Sequence, residues 1–163
     1  MKLLSCPLDG RTGHQAGRDL LRQLYYEQTG QTLPEIALGP RGKPYFPGSP
    51  WHFSITHTPR HAFCALSLRP IGMDAEELDR NISPRLPEKI LSPGELSQYR
   101  ASEDPHRALL SFWVLKEAQA KLTGEGLRGY PNHTDFILPH PAIRELDGCL
   151  VAILEGNEED YAV

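Results

Sequence analysis

Apolar positions recur at two different spacings along this chain. Between His14 and Gly30 the spacing is helical: Leu20, Leu21, Leu24 and Tyr25 form one stripe, and Gly30 supplies a stop. A loop rich in Gly and Pro follows, "LGPRGKPYFPGSP". The spacing then shortens. "WHFSITH", "AFCALSL" and "IGMDAEEL" read as three strands, and the brief breaks "TPRH" and "RP" predict an antiparallel meander. Two short helices are predicted next, from "SPRLPEKIL" and "SPGELSQYRA". The second has Ser92 as cap and Glu95 three residues on, the spacing of a capping box. "SFWVLKEAQAKLTG", Ser111 to Gly124, predicts a longer helix ended by Gly124. "FILP" and "CLVAILE" are two further strand candidates. The class this implies is α+β, an antiparallel sheet packed with helices.

The long helix is apolar nearly all round. Leu110, Phe112, Trp113, Val114, Leu115, Ala118 and Leu122 leave little polar face, so it belongs in the interior. It nevertheless carries Lys116, Glu117 and Lys121. At about 100° per residue, Trp113, Glu117 and Lys121 fall on one line. Glu117 and Lys121 could form an ordinary i, i+4 pair. A carboxylate among large apolar groups needs a positive partner, and a metal ion would serve equally.

With 163 residues, the chain has the size of one domain, or of two small halves sharing a core, split near residue 70 into 1–70 and 71–163. Its 39% hydrophobic and 23% charged residues are ordinary for a globular protein. No apolar run approaches a membrane span, and the start "MKLLSCPLDG" is too weakly apolar for a secretory signal. Cys6, Cys64 and Cys149 are odd in number and show no CxxC spacing, as expected of reduced thiols in a cytoplasmic protein, with Cys64 in a strand core. The net charge of −4 is uneven. Up to Pro70 there are eight Lys/Arg against four Asp/Glu, a balance of +4, and from Ile71 nine against seventeen, a balance of −8. The first half suits an anionic ligand and the second a cation.

Alternation along "IGMDAE" sends Ile71, Met73 and Ala75 one way and Gly72, Asp74 and Glu76 the other. Two acids on one face repel unless a cation lies between them; a strand running out into solvent would show the same pattern. Asp74, Glu76 and Glu117 would make three oxygen ligands for Mg²⁺, which completes its shell with water and phosphate oxygens. In the basic half, "RGKPYF" presents Lys43 on a loop shaped by Gly42 and Pro44. "FSITHT" ends a strand with Thr56, His57 and Thr58, and a phosphate could be met at either place. His57 could equally be a turn residue bonded to backbone. No His/Cys cluster has zinc spacing, and neither a Ser-His-Asp pattern nor a P-loop is present.

"RGKPYF", "FSITHT", "IGMDAEE" and "FWVLKEAQAKLTGEGL", in that order, resemble the signature blocks of the 4′-phosphopantetheinyl transferases. In the Sfp-like branch these read approximately GKP, F-N-(I/L)-S-H-(S/T), (I/V)-G-(I/V)-D-x-E and W-x-x-K-E-(A/S)-x-x-K-x-x-G-x-G-L. The last block is the most specific. The blocks span about residues 41 to 127, and "ILSPGELSQY" between them also resembles the family.

The resemblance implies a fold of two related halves and a holo-[acyl-carrier-protein] synthase activity. The phosphopantetheine arm of coenzyme A would pass to a serine of an acyl or peptidyl carrier protein, leaving adenosine 3′,5′-bisphosphate. It implies Asp74, Glu76 and Glu117 as Mg²⁺ ligands and Lys121 as the diphosphate contact. Lys43, Thr56 and His57 would contact coenzyme A, and Glu117 would help deprotonate the serine. Neither nucleic acid nor a membrane is implied as a partner. With both halves in one chain a monomer is expected.

Three departures stand out. Ser54 occupies the usual Asn position, threonines replace both serines of the S-H-S type turn, and only about forty residues precede "RGKPYF". Arg11 and Arg18 are candidates there for the nucleotide, though neither aligns to a motif position. A Mg²⁺-dependent nuclease or phosphohydrolase would use a similar D-x-E with a later Glu and Lys, but would not require GKP or the adjacent K-E-A. A non-catalytic carrier-binding relative would have no need of all four charged residues.

Overall fold

Thr12 and Gly30 bracket the first helix. The Thr12 side chain accepts from the Gln15 N–H while Gln15 returns a bond to the Thr12 N–H, and Gly30 closes the helix in the left-handed conformation, φ 68°. In the computed structural model, residues 1–125 and 135–157 are described. The order of elements is β1 (Lys2–Pro7), α1 (Gly13–Thr29), β2 (Ala37–Leu38), β3 (Pro44–Tyr45), β4 (His52–His57), β5 (His61–Ser67), β6 (Ile71–Glu77), α2 (Leu86–Ile90), α3 (Pro93–Ala101), α4 (Pro105–Thr123), β7 (Ile143–Leu146) and β8 (Cys149–Glu155).

The strands form two three-stranded antiparallel sheets, β1-β5-β4 and β6-β8-β7, plus the small β2-β3 hairpin. The two larger sheets repeat one plan. Each runs strand, helix, strand, strand, and each places its last strand in the middle. These are the two related halves of an α+β fold.

Alternation decides what each face meets. Ala62, Cys64 and Leu66 of β5 pack on Ala16, Leu20, Leu21 and Leu24 of α1. Phe63 and Ala65 turn the other way, against Met73 and Ala75 of β6 and Val151 and Ile153 of β8. The second face of β8 carries Ala152 and Leu154 against Phe112, Leu115 and Ala118 of α4. The order of layers is therefore α1, first sheet, second sheet, α4. α4 is buried on most of its circumference, as its composition requires.

Three expectations fail, each for a physical reason. β6 does not continue the meander. β1, which the sequence pattern did not disclose, pairs with β5 along its whole length, so β4 and β1 fill both edges of β5. β6 crosses to the second sheet instead and pairs with β8. "FILP" is not a strand. The Phe136 N–H is taken by Glu95 Oε1 at 3.0 Å, the Phe136 carbonyl by Gln98 Nε2 at 2.9 Å, and the Leu138 N–H by Gln98 Oε1 at 2.9 Å. Side chains of α3 thus supply the partners a sheet would have offered. The strand lies further on, at β7. α4 also begins earlier than expected, at Pro105, where the Asp104 side chain accepts from the Arg107 N–H.

The two sheets meet edge to edge at β4 and β6. Ser54 Oγ accepts the Met73 N–H at 3.0 Å, so the hydroxyl at this variant position satisfies an edge donor of β6. On its other side β6 touches α4 at Gly72. A Cβ there would lie 2.1 Å from the Ala118 carbonyl oxygen and 2.4 Å from the Leu122 nitrogen, both backbone atoms of the helix. Only glycine permits so close a seat. Gly72→Ala should therefore cost about 2–3 kcal/mol of stability by overpacking. Gly17→Ala should cost less. Its Cβ would strike the Ile55 side chain at 2.4 Å, but roughly 1 kcal/mol returns as helix propensity. Urea denaturation of both variants checks the order.

Candidate active site at the seam of the two sheets

The seating of α4 on β6 brings distant residues together. Ile55, Thr56 and His57 of β4, Asp74 and Glu76 of β6, Arg80 just beyond it, and Trp113, Glu117 and Lys121 of α4 line one open cavity of about 340 Å³. Six of the seven residues singled out in the sequence lie here: Thr56, His57, Asp74, Glu76, Glu117 and Lys121. Alternation along β6 and helical periodicity along α4 aim their acids at each other.

The charges are arranged unevenly. Lys121 Nζ donates to Asp74 Oδ1 at 2.7 Å and to Thr56 Oγ1 at 3.1 Å, and the Thr56 hydroxyl donates to Asp74 Oδ1 at 3.0 Å. Asp74 is buried, so this is a close, desolvated pair. Glu76 Oε1 accepts the Trp113 indole N–H at 3.0 Å and an ion pair from Arg80, whose guanidinium also lies over the Trp113 ring. The i, i+4 pair between Glu117 and Lys121 does not form; Lys121 reaches across to β6 instead.

Glu117 is left without a hydrogen bond or ion pair among the described residues. Burial first, and then the charge of Asp74, push its carboxyl up to about 7, while Lys121 pulls the other way. Glu76 is raised in the same direction, again chiefly by burial, with Arg80 opposing. Three carboxylates converge here, and one of them is half protonated near neutrality for want of positive charge. A hard divalent cation needs this donor set, and Asp74, Glu76 and Glu117 could hold it.

Lys43 does not join the cavity lining. It donates to the Leu122 carbonyl at 2.7 Å and to the Ile71 carbonyl at 3.4 Å, at the C-terminal end of α4, where a cation is favoured. Burial lowers its ammonium pKa. Thr58 is also turned away, into the space between the sheets, where it donates to Glu77. The sequence reading missed Arg80 and the indole bond of Trp113. An Arg four residues after Glu76 carries no signal of its own until strand and helix are placed.

A second open cavity, about 490 Å³, runs along α1 and is lined by Arg11, His14, Gln15, Arg18, Asp19 and Arg22. It begins beside the first. Gly13 backs onto His57 so closely that a Cβ would lie 2.2 Å from the ring. Arg11 is engaged by Asp19 at 2.9 Å.

Three carboxylates with a lysine beside them thus line one cavity between two repeated α+β halves. The model of the 4′-phosphopantetheinyl transferase superfamily matches residues 70–150, about half of this chain. A 4′-phosphopantetheinyl transferase of Bacillus subtilis is 34% identical over 89 residues, 53% of this chain and 39% of that protein. A holo-[acyl-carrier-protein] synthase of Cronobacter sakazakii is 35% identical over 69 residues, 39% of this chain and 55% of that one. Among solved structures, the holo-[acyl-carrier-protein] synthase of Thermotoga maritima matches with a TM-score of 0.45 at 21% identity, over 52% of this chain and 60% of that chain. The chain belongs to the 4′-phosphopantetheinyl transferase superfamily and resembles its Sfp-like members. It spans about two-fifths of the length of the first Bacillus relatives it matches.

The raised Glu117 carboxyl has a signed consequence. Its folded value, about 7, lies above the ordinary 4.5, so the metal-free fold binds more protons than the unfolded chain between them. Its contribution is fully present below about 4.5 and is lost as pH rises through about 7. Melting temperatures of the metal-free protein should fall across that window, and Glu117→Gln should flatten the fall. Adding Mg²⁺ to the unmutated protein should restore stability on the alkaline side.

Proposed function

We propose that this chain transfers the 4′-phosphopantetheine arm of coenzyme A to a serine of an apo acyl or peptidyl carrier protein, with Mg²⁺, and releases adenosine 3′,5′-bisphosphate. The observation that carries this reading is the convergence of Asp74, Glu76, Glu117 and Lys121 on one cavity. Those residues come from two of the four motif blocks that carry the resemblance, forty-odd positions apart in the chain.

The chemistry follows from the residues. The serine oxygen attacks the β-phosphorus, a new P–O bond forms, and the bond to the bridging oxygen breaks. Mg²⁺ on Asp74, Glu76 and Glu117 would neutralise charge on the phosphoryl oxygens. Lys121 and Arg80 now balance Asp74 and Glu76, and a bound cation would free both to meet the diphosphate. Glu117, which has no hydrogen bond or ion pair among the described residues, would be free to take the serine proton. Trp113 keeps Glu76 aimed at the cavity and shields one wall from water. Thr56 and His57 would contact coenzyme A. His14 and Arg18 on α1 continue the basic wall past His57 toward the nucleotide. Lys43 would reach the ligand only by leaving the carbonyls of Leu122 and Ile71.

Incubation with coenzyme A, Mg²⁺ and apo carrier proteins from fatty-acid, polyketide and peptide synthesis tests the reading by intact-mass spectrometry. One phosphopantetheine should be added per carrier. Glu117→Gln should lose roughly 10²-fold or more in rate with the helix intact. Lys121→Met should weaken coenzyme A binding as well as turnover. No mass gain on any carrier class, with Mg²⁺-dependent nucleic-acid or phosphoester hydrolysis in its place, would overturn it.

A further inference from the structure

β6 carries acids on both faces. Asp74 and Glu76 look toward α4, whereas Glu77, one residue on, turns into the space between the sheets and is buried there. At that end of the inter-sheet core it meets Cys149, its register partner on β8, and His61, the first residue of β5. Donor atoms of His61, Glu77 and Cys149 lie within 4.8 Å of one another. None of the three belongs to the cavity over α4.

His61 Nδ1 is buried and has no hydrogen-bond partner among the described residues. It stands 3.9 Å from Glu77 Oε1, too far for a hydrogen bond. A buried imidazole nitrogen left unmet is costly. The separation is close to that of two ligands of one ion: metal–ligand bonds of roughly 2.0–2.3 Å in a tetrahedron set neighbouring donors roughly 3.3–3.8 Å apart, so a small side-chain shift would seat the ion. Glu77 is prepared as a ligand. Thr58 Oγ1 donates to Oε1 at 2.5 Å, and Arg60 grips Oε2. Such outer partners fix a ligating carboxylate in place. His61 keeps 23% of its side chain exposed, which leaves an entry path.

We propose that His61, Glu77 and Cys149 form a three-ligand site for a zinc-type transition-metal ion, with water at the fourth position, tying β5 of the first sheet to β6 and β8 of the second. The mixed nitrogen, sulfur and oxygen donors select such an ion, whereas the all-oxygen cavity on the opposite face of β6 suits Mg²⁺. On binding, the Cys149 S–H bond breaks, its proton leaves to solvent, and the thiolate bonds to the metal.

Cobalt(II) is the probe. The full chain, freed of metal and held in excess Mg²⁺, is titrated with cobalt and followed by absorption. A thiolate-to-cobalt charge-transfer band and the strong visible bands of four-coordinate cobalt should saturate at one ion per chain, and zinc should abolish them. Cys149→Ser should remove the charge-transfer band; Cys6→Ser and Asp74→Asn should keep it. His61→Ala removes no hydrogen bond of Nδ1, so the fold should hold, and cobalt affinity should fall roughly 10–100-fold or more. A missing charge-transfer band in the unmutated chain, its survival in Cys149→Ser, or unchanged affinity in His61→Ala would each overturn the proposal.

Discussion

Direct contact between the backbone of α4 and that of β6 at Gly72 is the constraint on which the site depends. With no side chain at that position, the helix backbone occupies the space a Cβ would take. This proximity lets Lys121 reach Asp74 at 2.7 Å and puts the Trp113 indole on Glu76. Add one methyl group and the helix must rise from the strand, and every cross-cavity distance lengthens with it.

The roll of α4 about its own axis is set separately. Lys116 is buried, with its ammonium 2.8 Å from Glu95, which is itself fully buried at the start of α3. Glu95 also takes the N–H groups of Ser92 and Phe136, so its carboxylate is nearly saturated by fixed donors. Neighbouring helix residues point about 100° apart. Anchoring Lys116 on that side therefore turns Glu117 toward β6. The capping box, the buried ion pair and the cation pocket form one chain of dependence, and the adjacent Lys-Glu of the long helix has opposite duties on its two faces.

The three acids of the cavity are not balanced alike. Asp74 and Glu76 are each paired with a positive side chain, Lys121 or Arg80. Glu117 receives none and holds its proton up to about pH 7. On the other face of the same strand, Glu77 is met by Thr58 and Arg60. Alternation along seven residues thus sends neighbouring acids to separate sets of partners.

Much of this was legible in the residues. The stripe of α1, the alternation of Asp74 and Glu76, the capping of α3 and the burial of α4 all rest on local periodicity and local hydrogen bonding, which a linear pattern records. Motif order carried the family. Other features were decided only by tertiary structure. β1 lacks a strong alternating pattern and exists as a strand because β5 had an open edge. "FILP" looked like a strand and became an irregular segment because Glu95 and Gln98 took its backbone groups. Lys43, expected at the ligand, is held by the carbonyl of Leu122. Arg80 matters only because Glu76 is within its reach. His61, Glu77 and Cys149 show no metal spacing along the chain, since three strands in two sheets bring them together. Periodicity is a property of neighbours in sequence, whereas the partner that a charge, an edge or a lone imidazole nitrogen finds depends on which distant backbone packs beside it.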